Sequence, residues 1–284
     1  MRKYNSKLTI ETDHYIIYST ANRAQTGLIA ETIEGLYAAY TTFFGNMLPA
    51  NQDQTKLRVK LYRDREEFKR YNRNSSWAEA FYQKPYCHSY YSAGRPNPYH
   101  WMIHEGTHQL SNEVAHFKMK EWIDEGLATY FGTSTIKEGK MILGQVDATT
   151  YPIWWLPGTS LTGNIEGDLK DGKIIPLRSL ITGKGGPDIN KEFNLYYIHY
   201  WSLTHFLLHY KHGKYLAGYR TVIAERGSLK SFEKGIGALD RIQGEWYEYL
   251  LGKILEVKGQ GASLTILSSH DNRAKRKSGQ EDQV

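Results

Sequence analysis

Five residues, His104-Glu105-Gly106-Thr107-His108, hold the densest chemistry in the chain. On a helix, residues four apart lie one turn above each other on the same face, so His104 and His108 can close on one metal ion. Glu105 is rotated about 100° from His104. That removes it from direct ligation but leaves it close enough to hold a water in the site. Two neutral imidazoles, a base beside them and a position open for water are the parts of zinc-assisted hydrolysis.

A catalytic zinc takes three protein ligands plus water, so a third ligand is required. Glu125, in Trp122-Ile123-Asp124-Glu125-Gly126-Leu127-Ala128, is the best placed. Residues 109–124 suffice to finish one helix, turn, and bring a second back beside it. Gly126 would let those two helices approach closely. Glu121, one turn earlier on the same face, competes for the role. His116 is a weaker rival because it falls in the expected interhelix link. His100 shares a face with His104 but sits near the helix start, where it reads as a capping or surface histidine. Thr129 is placed to hydrogen-bond a ligand imidazole, and Asp124 reads as an ordinary polar neighbour. The five-residue motif alone arises by chance in roughly a few per cent of chains; joined to a Glu-Gly at a workable distance, it predicts a metal site.

The elements that must position these residues follow from periodicity. Leu8-Thr9-Ile10 and Tyr15-Ile16-Ile17-Tyr18 read as paired strands, and Leu57-Arg58-Val59-Lys60-Leu61-Tyr62 alternates as a strand with one buried face. Leu28, Ile29, Ile33, Leu36, Tyr37, Tyr40 and Phe44 recur at helical spacing between them. Asp64 is set to cap a short helix, Arg65 to Tyr71. Ala80-Phe81-Tyr82 and Cys87-His88-Ser89-Tyr90-Tyr91 are expected as strands flanking Pro85. The metal motif then falls on a helix from about Pro98 to Val114, followed by a second from about Lys120 to Phe131. Gly132 to Asn190 is rich in Gly and Pro and reads as a long loop with hairpin pieces, of the kind that is often functional. Helical periodicity returns over Glu192–His212, Tyr215–Ala224 and Glu245–Val257. This order predicts an α+β architecture: a single domain over residues 1–258, sheet-rich over about 7–114 and helical over about 115–258. A flexible basic tail is expected over 259–284.

Composition narrows the remaining classes. The chain has 284 residues, 40% hydrophobic and 23% charged, which suits a globular domain with a full core. The formal charge is +6. Arg273, Lys275, Arg276 and Lys277 supply part of it, and no basic–aromatic motif accompanies it, so no nucleic-acid partner is expected. The lone cysteine, Cys87, excludes intramolecular disulfides and thiolate metal clusters. No apolar run reaches the length of a bilayer span. No apolar signal core is visible after Met1, which leaves a cytoplasmic setting and export with the signal removed both open. The sequence sets no oligomeric state.

His-Glu-Gly-Thr-His-Gln-Leu followed by Glu-Trp-Ile-Asp-Glu-Gly-Leu-Ala-Thr-Tyr-Phe resembles the gluzincin metallopeptidases, in particular the bacterial peptidase MA-like domains. The likeness extends more loosely to Phe81-Tyr82, Pro176-Leu177-Arg178-Ser179-Leu180 and Tyr197-Ile198-His199-Tyr200-Trp201-Ser202-Leu203, and so covers most of Thr12 to Leu250. The resemblance implies Zn2+ held by His104, His108 and Glu125, with Glu105 as general base. It also implies a zincin-like fold whose mixed sheet has an edge strand over the cleft, and a peptide or protein substrate. Such enzymes use a Tyr or His from the helical C-terminal part to stabilise the oxyanion. Tyr196, Tyr197, His199 and Tyr200 are available, and Tyr197 stands at the tyrosine of the family-like Tyr-x-x-x-Trp-x-Leu pattern. Gluzincin aminopeptidases hold the free amine with a Gly-x-Met-Glu-Asn strand, and nothing like it precedes His104, which points to an endopeptidase. The alternative is a zincin-fold binding or scaffold protein with weak or no turnover. Trp154 and Trp155 are expected to anchor the long loop or to line a substrate cleft.

Overall fold

The computed structural model describes residues 4–50, 55–73, 78–137 and 140–278, from 260 onward as backbone alone. Its first half is a five-stranded mixed sheet: β1 (Leu8–Glu11), β2 (Tyr15–Ser19), β3 (Leu57–Tyr62), β4 (Phe81–Gln83) and β5 (Tyr86–Tyr90). The spatial order is β1-β2-β3-β5-β4. The two interior pairings, β2 with β3 and β3 with β5, are parallel; the outer two are antiparallel. β4 therefore forms one edge.

Alternation in the central strands sends Tyr15, Ile17, Leu57, Val59, Leu61 and Cys87 into the core. Two helices cover that face. The first, α1 (Arg23–Phe44), starts at a capping box in which Asn22 and Gln25 bond each other's backbone N–H. The second, α3 (His100–Glu113), carries the histidines. Between them in sequence, α2 (Arg65–Tyr71) begins where Asp64 accepts the Glu67 N–H, as the sequence predicts. α3 is pinned from three sides. Met102 meets Cys87 of β5 at 3.7 Å between sulfurs, Tyr40 of α1 bonds Ser111 at 2.9 Å, and Gln109 donates to the Arg58 carbonyl of β3 at 3.2 Å.

The second half is helical. α4 (Glu121–Gly132) lies between α3 and α7 (Phe193–His209). Gly126 is what lets α4 approach α7: a β-carbon there would run into the Thr204 hydroxyl and press on the Tyr200 carbonyl. The expected contact of Gly126 with the histidine helix is thus corrected. Gly132, the last residue of α4, is the glycine that faces His104.

Residues 133–192 hold more regular structure than a loop with hairpin pieces. The hairpin is there, β6 (Thr135–Lys137) with β7 (Lys140–Ile142), but so are a 3-10 segment over Ile153–Gly158 and two short helices, α5 (Ile165–Lys170) and α6 (Leu177–Thr182). α8 (Leu216–Ala224), α9 (Leu229–Gly235) and α10 (Leu239–Ser278) complete the fold. α10 starts earlier than its sequence pattern suggests, and its backbone runs on through most of the stretch read as a tail. Among the described residues, no helix is long and apolar enough to cross a membrane.

Candidate metal centre

The helix period puts His104 and His108 on one face of α3, and the turn into α4 brings Glu125 opposite them. The two Nε2 atoms are 3.3 Å apart. Glu125 Oε2 lies 3.4 Å from His104 Nε2 and 3.6 Å from His108 Nε2. Tetrahedral zinc at 2.0–2.1 Å from its ligands spaces neighbouring donor atoms about 3.3–3.4 Å apart, so this triangle has the edge lengths of such a site. Glu125 Oε2 is buried and accepts no hydrogen bond. A buried carboxylate oxygen aimed at two imidazole nitrogens, with no donor of its own, is what a cation would satisfy. Among the described residues, these three form the one group of His, Cys, Asp and Glu side chains close enough to share an ion.

The surrounding electrostatics favour positive charge at this point. Burial pulls the His108 pKa down, but the Glu125 and Asp124 carboxylates beside it raise it well above the imidazole range. Burial pushes Glu125 up, and His108 and His104 outweigh it and carry that carboxyl well below the usual range. Asp124 Oδ1 sits 3.2 Å from His108 Nδ1. It therefore orients the ring whose other nitrogen faces the centre, a closer role than that of an ordinary polar neighbour. Its position one residue before Glu125 is the sequence signal that could have found it.

Glu105 stands off the triangle, as the helix geometry predicts. Burial raises its pKa; His104 and His108 oppose the shift and Glu125 adds to it. The Tyr82 backbone N–H, on edge strand β4, also opposes the rise. That strand contact gives no sequence signal, because it depends on how β4 lies over α3.

The other candidates are placed elsewhere. Glu121 and His116 stay outside the triangle; His116 is exposed, with Nδ1 at the Asn112 carbonyl. His100 is buried at 4% exposure, which corrects its reading as a surface or capping residue. Thr129 spends its hydroxyl on the Glu125 and Gly126 carbonyls of its own helix, so it supports no imidazole.

Of the four oxyanion candidates, Tyr197 borders the centre, its ring stacked 6.4 Å from the His104 ring. Burial, with the Glu125 carboxylate adding to it, pushes its phenol far up, so it stays a hydrogen-bond donor. Tyr196 donates instead to the Pro187 carbonyl. His199 has one nitrogen at the Leu195 carbonyl and the other at the Ile175 N–H. Tyr200 is buried between α7 and its neighbours.

Two cavities, of about 740 and 560 Å³, meet at Ala80, His104, Glu105 and Tyr197. The centre thus lies in the floor of one two-armed cleft. Trp154 and Trp155 line the larger arm; Trp154 also packs on His100, Trp101 and Tyr151, so both expectations hold for it. Trp155 is 48% exposed on the rim. The chain matches no family model and no curated protein.

Proposed function

We propose that this chain is a zinc-dependent peptidase of the gluzincin type, acting as an endopeptidase. One observation supports the reading above the others: His104, His108 and Glu125 converge with tetrahedral spacing, and Glu105 and Tyr197 border the same point of an open cleft. His104, His108 and Glu125 would hold the ion, and Asp124 would keep His108 turned towards it. When bound, zinc supplies Lewis acidity and lowers the pKa of water to about 7.

The remaining work falls to the chain. Glu105, a half-buried carboxyl whose pKa is raised by desolvation, takes a proton from the attacking water and returns it to the leaving nitrogen. Tyr197 keeps its proton and donates to the substrate oxygen as negative charge develops there. The cleft is open on both sides of this point, which suits a chain passing through it rather than a terminus held at one end.

Purified protein should carry one equivalent of zinc and cleave members of a peptide library. Glu105→Gln should keep the metal and lose about 10²–10⁴-fold in rate, the usual share of a general base. Protein without stoichiometric metal, unaffected by His104→Ala, would sink the proposal. Metal with no cleavage by any preparation would favour a binding or scaffold role for the same fold.

A further inference from the structure

The two arms of the cleft differ in chemistry. The smaller is polar, with Asn112, Lys118 and Asp124 in its wall. The larger is faced by aromatic rings that run without a break from the rim to the centre. Trp154 meets Tyr151 at 5.6 Å between ring centroids, Tyr151 meets Tyr197 at 5.4 Å, and Phe193 meets Tyr197 at 4.2 Å. These are the separations at which aromatic rings pack favourably. Tyr197 ends the series beside His104. A side chain next to the reacting bond would therefore rest on this surface.

The charges in the larger arm are mostly spoken for. Arg65 makes two bonds of 2.6 Å to Glu79, which also accepts from Tyr90 at 2.7 Å. Lys69 lies 3.0 Å from the same carboxylate. Asp64 is occupied with the Glu67 N–H and with Arg63. Arg95 lies over the Trp154 ring, 5.5 Å from its centroid. Among the described residues, the arm offers apolar faces, and its carboxylates away from the centre, Asp64 and Glu79, both have partners; its volume lies in the range of sites that enclose a ligand group.

We propose that this arm is a specificity site for a bulky aromatic side chain adjacent to the scissile bond, with Trp154 and Trp155 as the residues that select it. The inference rests on the peptidase reading for the position of the bond, but binding tests it without turnover. Burying a large apolar side chain instead of a methyl group is worth at least about tenfold in affinity.

The probes are hexapeptides blocked at both ends, of alanine except for one internal Phe, Ala or Glu. Calorimetry on the metal-loaded Glu105→Gln variant reads binding, and the wild type reads kcat/KM. The Phe peptide should be favoured over the Ala peptide by at least about tenfold in both. Trp154→Ala should cut that preference to about threefold or less, and Trp154→Phe should restore most of it. Trp155→Ala, at an exposed position that costs the fold little, should give a smaller loss of the same kind.

Equal use of the three peptides, a preference for Glu, or a Phe preference that survives both alanine variants would overturn the inference and leave the peptidase reading standing. Phe-selective binding lost in Trp154→Ala, with no cleavage by the wild type, would uphold the aromatic site and overturn the peptidase reading.

Discussion

Two pairs of histidines in this chain have identical spacing and opposite surroundings. His104 and His108 sit four apart on α3; His205 and His209 sit four apart on α7, with ring centroids 4.4 Å from each other. The first pair faces Glu125 and Asp124. The second bonds neutral groups and has the Lys253 ammonium nearby: His205 bonds the Tyr249 hydroxyl and the Gly144 carbonyl, and His209 bonds the Tyr130 hydroxyl. Carboxylates hold His108 above the imidazole range, whereas burial lowers His205 to about 3, with His209 adding to the shift. Burial lowers His209 as well. Helical spacing makes a pair of donors, and what packs opposite decides whether that pair is a candidate ion site or a neutral piece of core. Glu105 adds a further asymmetry, since the second pair has Phe206 in the corresponding position.

The sharpest way to break this contrast is to remove the carboxylate. Glu125→Ala should lose stoichiometric metal, weakening affinity by more than the roughly 10–100-fold typical of an outer partner, while His209→Phe should keep a full equivalent. Metal quantification on the two purified variants distinguishes them, and equal metal in both would erase the distinction. A milder change, Asp124→Asn, removes the charge beside His108 Nδ1. It should weaken metal binding by roughly 10–100-fold in chelator competition and leave the fold intact.

The neutral pair should show itself in acid. Unfolded, His205 takes up a proton near pH 6.5; folded, it resists until about pH 3. Between those values the unfolded chain binds the extra proton, so stability is fully present above about pH 6.5 and falls as pH drops towards 3. His88, lowered to about 3 by burial and by Lys60, acts in the same direction. Denaturant unfolding of His205→Phe from pH 7 to 4 should show a shallower loss than wild type. An unchanged slope would remove His205 from the account.

Legibility followed the range of the interaction that decides each feature. α2 and its Asp64 cap were readable because a cap is a contact within one turn. The strands β2 and β3 are readable because buried positions alternate along most of each. α5, α6 and α9 leave no clear pattern in the sequence: at six or seven residues they show less than two turns of periodicity and depend on packing rather than propensity. Gly126 reads as a close-contact glycine, but its neighbour is α7 and not α3, since sequence shows that a β-carbon is missing but not which helix fills the space. His100 shows the same limit, as helix position alone does not reveal that the 3-10 segment over Ile153–Gly158 covers it.

By itself, the sequence determined that His104 and His108 share a face and that Glu105 is turned aside from them, because 3.6 residues per turn is a property of the backbone. Tertiary structure decided the rest. It closed Glu125 onto the two nitrogens, set Asp124 against one ring, and placed the Tyr197 ring, rather than Tyr196, His199 or Tyr200, beside His104. Those choices depend on interlocking side chains across three helices, and a packed contact exists only when both of its surfaces are in place.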